Sequence, residues 1–221
     1  VKWGPGKTTL LEFTYSPPLI ADLDLDGRPE ILCVANTEDP AKIGPITGSC
    51  LIVRNVDFTP KAGFTPWKRS GKALSGEGTG SKFEANPCVV AGDIAGDARL
   101  EAVVSHLDGV VHAYGPDGAD LWKVEAAASA TQIVAEPLLA DLDGDGKAEV
   151  VMALDSGRVL GLDPVSARAK FTGKYQSTSI SWLPILRDLD GDGAADVTAI
   201  SGGKLVARSG KTSADLWSVP G

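Results

Sequence analysis

Histidine, methionine and cysteine are all scarce in this 221-residue chain, with two, one and three copies. His106 and His112 alone cannot furnish a histidine-rich transition-metal centre. Three cysteines, Cys33, Cys50 and Cys88, leave at least one thiol outside any internal pair. Positive charge is also short: 21 Lys and Arg against 29 Asp and Glu give a net charge of −8 and a pI near 4.8. That balance argues against nucleic acid and anionic membrane as partners. No apolar run approaches the roughly 20 residues of a membrane-spanning helix. No secretory leader is recognisable, and with a start at Val1 any leader is expected to have been removed.

What the chain does have is a 43% hydrophobic content, enough for a core, and a recurring acidic loop. The clearest copy is Asp141-Leu142-Asp143-Gly144-Asp145-Gly146-Lys147-Ala148-Glu149, with acids at loop positions 1, 3, 5 and 9. Asp188–Asp196 and Asp22–Glu30 repeat it, and Asp93–Glu101 is an eroded copy with Ala95 at position 3 and Ala98 at position 6. Carboxylates this close repel unless a cation lies among them. Gly27, Gly146 and Gly193 permit the sharp turn that brings the position 7 carbonyl inward. Hard oxygen donors without His or Cys suit Ca²⁺, which takes about six to eight of them. An EF-hand would need a Glu at position 12, where this chain has Cys33, Met152 and Ala199, and helices on both sides. The flanks, such as Pro137-Leu138-Leu139-Ala140 and Val150–Leu154, are instead short apolar runs of strand type.

The loops set a period. Asp93 to Asp141 spans 48 residues, Asp141 to Asp188 spans 47, and Asp22 to Asp93 spans 71. The excess in the first unit falls on Gly- and Pro-rich stretches, Thr37–Gly48 and Gly63–Gly80, expected to be surface loops. Each later unit contains four strand-like runs. They are Cys88–Ala91, Leu100–Ser105, Val110–Tyr114 and Asp120–Val124, then Leu138–Asp141, Glu149–Leu154, Arg158–Leu162 and Ala169–Thr172. The last set is Pro184–Arg187, Asp196–Ile200, Lys204–Arg208 and Asp215–Val219. Four short antiparallel strands per unit predict an all-β fold, a β-propeller of four-stranded blades. The expected division is an N-terminal arm over 1–15 and blades over about 16–80, 81–130, 131–178 and 179–221.

An aromatic tag follows the same period: Trp122 and Trp217 each lie 29 residues after their loop's first Asp, within Ala-Asp-Leu-Trp. Lys170 falls at that offset in the third unit with Phe171 beside it, and Trp67 takes the part in the first. Such a residue either covers the seam between blades or fills its own blade's core. Trp3 precedes Asp22 by 19 residues, as Trp122 precedes Asp141. The chain therefore holds four units plus an orphan N-terminal strand, at Val1–Trp3 or at Thr8–Tyr15. An unpaired strand invites pairing with another chain. A longer propeller or a multi-subunit assembly (a homo-oligomer or polymer) is expected, the alternative being a closed four-blade ring. Cys33 and Cys50 flank the first insertion as either a disulfide or two buried thiols.

The stretch Leu138–Val151, and with it Ile185–Val197, resembles the FG-GAP or VCBS repeats of integrin-α-type propellers and many bacterial extracellular proteins. The resemblance implies Ca²⁺ in the hairpin between a blade's first two strands. The side-chain ligands it implies are Asp22, Asp24, Asp26 and Glu30; Asp141, Asp143, Asp145 and Glu149; and Asp188, Asp190, Asp192 and Asp196. The carbonyls of Arg28, Lys147 and Ala194 would join them. It further implies a binding, adhesion or assembly module, extracellular or at the cell surface, with other protein chains and carbohydrate as partner classes. The alternative is the propeller domain of an extracellular carbohydrate-active or quinoprotein-like enzyme, since Gly118–Trp122 also looks like the outer strand of quinoprotein-type blades. No catalytic residues are assigned, and the chain is expected not to be an enzyme. Gly6-Lys7-Thr8 and Gly210-Lys211-Thr212 lack the upstream glycine of a phosphate loop, having Val1 and Leu205 there.

Overall fold

The computed structural model describes residues 10–12, 17–38, 46–65, 68–69, 87–106, 109–126, 133, 136–154, 156–176 and 184–220. The elements among them are all strands: β1 (Leu10–Glu12), β2 (Leu19–Ala21), β3 (Glu30–Glu38), β4 (Ile46–Asn55), β5 (Lys68–Arg69), β6 (Cys88–Gly92), β7 (Glu101–Ser105), β8 (Val110–Tyr114), β9 (Asp120–Glu125), β10 (Leu138–Ala140), β11 (Glu149–Ala153), β12 (Arg158–Leu162), β13 (Ala169–Lys174), β14 (Ile185–Arg187), β15 (Asp196–Ser201), β16 (Lys204–Arg208) and β17 (Asp215–Pro220). They make four antiparallel meanders: β1 and β2 on one edge of β3 followed by β4 and β5, then β6–β9, β10–β13 and β14–β17. In the last three sheets the strands lie within two residues of the bounds expected from the period.

The sheets stack face to face in chain order. One apolar cluster joins Leu32, Val34, Leu51 and Phe64 of the first to Val89, Val104 and Tyr114 of the second. A second joins Val103, Val111 and Ala113 to Val150, Met152 and Leu160. The third joins Val151, Val159 and Phe171 to Val197, Ala199 and Val206. This explains why β7 and β11 are buried at every position. A strand sandwiched between two blades buries both of its alternating faces and so reads as an unbroken apolar run. At the seam of the first two sheets a Cβ on Gly63 would stand 1.6 Å from the Asp117 carbonyl oxygen, so the backbones approach at glycine.

The fourth sheet is different. The face carrying Trp217 leaves Ile185 and Ile200 each 64% exposed and Trp217 itself 39% exposed. Among the described residues no apolar cluster joins this face to another sheet.

Each of the last three sheets has an irregularity at the same place. The register shifts between Ala113 and Tyr114, between Gly161 and Leu162, and between Ala207 and Arg208. The outer strand thereby carries one extra residue: Leu121, Lys170 or Leu216. This β-bulge leaves an aromatic residue opposite a small one: Trp122 by Ala113, Phe171 by Gly161, Trp217 by Ala207. Phe171 is thus the aromatic of the third blade. It arrives one residue late because the connection before β13, residues 163–168, is longer than its counterpart at 115–119.

Two expectations are corrected. The N-terminal strand within Thr8–Tyr15 is not an orphan. β3 continues for nine residues, past β2, and β1 pairs with that continuation, Leu10 opposite Glu38 and Glu12 opposite Asn36. The stretch Thr37–Gly48 is not wholly a loop, since the hairpin ladder runs on through Thr37 opposite Gly48 and Glu38 opposite Ile46. Val1–Trp3 and Trp67 lie outside the described residues. Cys33 and Cys50 are not joined by a disulfide. Cys50 stands opposite Ala35, so Cys33 is its diagonal neighbour. Diagonal pairs are about 7–8 Å apart, at or beyond the reach of a disulfide.

Candidate metal centres

Each acidic loop joins the first two principal strands of its sheet, and its residues fix its shape. The position 1 carboxylate accepts from backbone N–H groups across the turn. Asp141 Oδ1 takes Gly144 N at 2.7 Å and its Oδ2 takes Gly146 N at 2.8 Å. Asp188 does the same with Gly191 and Gly193 at 2.7 and 3.1 Å. Asp22 receives Asp26 N and Gly27 N at 3.1 and 2.9 Å. The position 5 carboxylate accepts from position 7: Asp26 from Arg28, Asp145 from Lys147, and Asp192 from Ala194. The position 9 acid opens the second strand and is buried. It accepts from the position 2 N–H, as Glu149 does from Leu142 at 2.7 Å, Glu30 from Leu23 at 2.9 Å and Asp196 from Leu189 at 2.8 Å.

This frame draws three carboxylates together in three of the loops. Oxygens of Asp22, Asp24 and Glu30 lie within 4.8 Å of one another, as do those of Asp141, Asp143 and Glu149, and those of Asp188, Asp190 and Asp196. These are positions 1, 3 and 9. Asp26, Asp145 and Asp192 at position 5 are not in the converging triads. Three oxygens at that spacing suit a hard cation. In the first loop Asp24 Oδ1 is buried with no hydrogen-bond partner, while its Oδ2 accepts from Lys61 Nζ.

The eroded loop keeps the frame without the triad. Asp93 accepts from Gly96, Asp97 and Ala98, and Asp97 from Arg99. Ala95 has no carboxylate to offer, and its N–H goes to Glu101 Oε2 at 2.9 Å. Ala98 is held at φ 73°, where the other loops have glycine. The turn is therefore a property of the chain itself, and the acid at position 3 completes a carboxylate triad on it.

Two lysines enter these cradles from outside the loops. Lys61 Nζ lies 2.5 Å from Asp24 Oδ2 and 2.8 Å from Glu30 Oε1. Lys170 Nζ lies 2.7 Å from Asp143, 3.1 Å from Asp145, 3.1 Å from Glu149 and 3.4 Å from Asp163. These contacts raise the Lys170 ammonium above its ordinary pKa. The Lys61 ammonium, through its hydrogen bond, is the chief cause that holds Asp24 below the usual carboxylate range. Burial pushes Glu149 upward in spite of Lys170. Asp163, which caps Ser166 N, is held down at about 2. Among the described residues no ammonium or guanidinium lies on the fourth sheet's triad. Lys61, Lys170 and Asp163 were missed in the sequence because they belong to later strands and turns. The one available signal was Lys170 standing at the offset where the second and fourth units have tryptophan.

Neighbouring loops are tied along one rim: Leu100 N donates to Leu23 O at 2.9 Å, and Ala195 N to Asp141 O at 2.7 Å. The histidines lie elsewhere. His106 is fully buried, with Nδ1 2.9 Å from Ser49 Oγ and its ring 5.0 Å from that of His112. A shallow cleft of about 370 Å³ adjoins His112, Tyr114, Lys68 and Asp120.

No protein-family profile matches the chain, and no curated protein matches it. Solved structures do. The biofilm matrix protein Bap1 of V. cholerae aligns with a TM-score of 0.52 at 18% identity, over 95% of this chain and 33% of that one. A chain of the complex of BBS1N with ARL6DN aligns at 0.51 and 14%, over 95% and 55%. A europium-containing methanol dehydrogenase aligns at 0.50 and 11%, over 96% and 43%. The chain spans less than two thirds of the length of each. At these identities the likeness is one of fold, and the chain is a β-propeller module of four-stranded antiparallel blades.

Proposed function

We propose that the chain is a cation-stabilised propeller module of the FG-GAP or VCBS kind, working as a binding or assembly element outside the cytoplasm rather than as an enzyme. The observation that carries this reading is the repetition of one carboxylate triad, at loop positions 1, 3 and 9, in three blades of one propeller. Ca²⁺ is the ion of choice because every donor is a hard oxygen. Bound there, it neutralises clustered charge and locks the first hairpin of a blade. Against an enzyme stands the placement of His106, which is sealed from solvent.

The protein contact is assigned to the exposed face of the fourth blade, with Ile185, Ile200, Leu205 and Trp217. The corresponding faces of the second and third blades each carry another blade. The occupant that fits is therefore a further four-stranded blade. Carbohydrate remains a proposed ligand class without a site among the described residues.

Calcium titration calorimetry with melting curves in Ca²⁺ and in EGTA tests the ion reading. Saturable binding and a raised melting temperature are expected, since a ligand of the folded state alone stabilises it. Absence of heat and an unmoved melting curve at millimolar Ca²⁺ would overturn it.

A further inference from the structure

The three triads are not equivalent, and the difference lies in Lys61 and Lys170. We propose that these two ammonium groups are resident counter-cations that occupy the first and third loops. The fourth-blade loop at Asp188, Asp190 and Asp196 is then the one open to a divalent ion. For that fourth loop the inference rests on the cation reading above. For the two lysines it rests on distances alone.

The geometry is specific. Lys170 is the bulge residue of β13, the extra position that the ladder leaves unpaired. The equivalent bulge residues are Leu121 in the blade with the eroded loop and Leu216 in the fourth blade. A bulge re-aims the side chain it carries. In the third blade that side chain spans from β13 to Asp143, Asp145 and the fully buried Glu149. Its Nζ thus contacts two of the three triad acids. Lys61 reaches the first triad by another route, from the turn that follows β4, and again contacts positions 3 and 9, Asp24 and Glu30. Two unrelated positions delivering the same ammonium to the same pair of carboxylates indicates a shared electrostatic need. In these two blades the buried position 9 carboxylate is paired with a fixed cation, whereas Glu101 of the eroded loop is held by the N–H groups of Ile94 and Ala95. The fourth blade has Asp196 fully buried at position 9 and Leu216 at the bulge, and among the described residues no ammonium reaches its triad, which leaves that triad open to a cation from solution.

A divalent ion entering the third loop has to displace Lys170 from its four carboxylates. Removal of one unit charge at about 3 Å is worth about tenfold in affinity even at the dielectric of water.

The test is a set of three substitutions, Lys170→Leu, Lys61→Met and Leu216→Lys, read by Ca²⁺ calorimetry and by melting in EGTA. The expected wild-type stoichiometry is one tight site per chain. Lys170→Leu should add a second site, at least tenfold tighter than any weak third-loop binding in the wild type, and Lys61→Met should independently add one at the first loop. Leu216→Lys should remove the wild-type site. In EGTA, Lys170→Leu should melt below the wild type and recover on Ca²⁺ addition, because Glu149 then exchanges one cation for another. If wild type and both lysine variants bind the same number of ions with the same affinity, the lysine inference fails while the cation reading stands. If none binds Ca²⁺, the cation reading fails, and the EGTA melting of Lys170→Leu decides the lysine question by itself: an unchanged melting temperature overturns it.

Discussion

Trp122 on β9 donates its indole N–H to the carbonyl oxygen of Pro164 at 2.6 Å, so a side chain of the second blade is bonded to the backbone of the third. The sequence left two roles open for this aromatic, seam cover or blade filler. The bond, together with packing of Trp122 against the cluster shared by both sheets, makes it a seam residue. Trp122→Phe keeps most of the ring packing and deletes the donor. It should lower the unfolding free energy by about 0.5–1.5 kcal/mol. Urea denaturation with an unchanged m-value would measure it.

Ala98 in the eroded loop sits at φ 73°, a region unfavourable for a residue with a Cβ. Ala98→Gly should stabilise the protein by about 0.5–1 kcal/mol, the strain relieved exceeding the added freedom of the unfolded chain. A rise in denaturation midpoint is the expected result. A fall would mean that the turn does not hold that backbone in solution.

Burial, and after it the proximity of His112, depress His106 from 6.5 to about 3. The unfolded imidazole takes a proton below about 6.5, and the folded one does not until about 3. The stabilising contribution is therefore complete above pH 6.5 and is lost as the pH falls towards 3. The slope reaches about 1.4 kcal/mol per pH unit. Between pH 6.5 and 5, above the range of most carboxylates, His106→Gln should flatten the fall in stability. Parallel pH profiles for wild type and variant would show that His106 titrates normally.

Asp190→Ala removes one acid of the triad that, among the described residues, no lysine reaches. In EGTA it should leave the melting temperature at or slightly above that of the wild type, since a repulsive carboxylate is gone. In millimolar Ca²⁺ it should abolish the ion-induced rise. A variant that still responds fully to Ca²⁺ would show that the ion binds elsewhere.

Ile200→Asp places a charge on the exposed face of the fourth blade without entering a cluster shared with another blade. If that face seats a further blade, sedimentation velocity should show the wild type above 22.8 kDa and the variant at the monomer mass. Equal masses for both would remove this face from the partner assignment.

Much of the architecture could be read directly from residue order. The unbroken apolar run Val150-Val151-Met152 announced a strand covered on both faces, and the near-equal spacing of Asp93, Asp141 and Asp188 set the blade period. The loop frame was legible for the same reason. Asp at position 1 and glycine at position 6 act on neighbours within five residues, and local chemistry needs no knowledge of the fold. The first blade was harder, because its long insertion hid the continuation of β3 and β4 that gives β1 a partner.

What the amino-acid order determined by itself is the strand, the turn and the supply of carboxylate. These depend on interactions between residues a few positions apart. Tertiary structure alone decided which cradles already hold a charge. Lys170 lies 21 residues from Glu149, and Lys61 lies 31 from Glu30. Those ammonium groups reach the acids because a bulge in β13 and a turn after β4 aim them across the sheet. A longer distance in sequence separates Trp122 from its seam partner Pro164, 42 residues on. Charge and hydrogen bonding act through a few ångströms of space, and only the packed sheets bring those residues within that range.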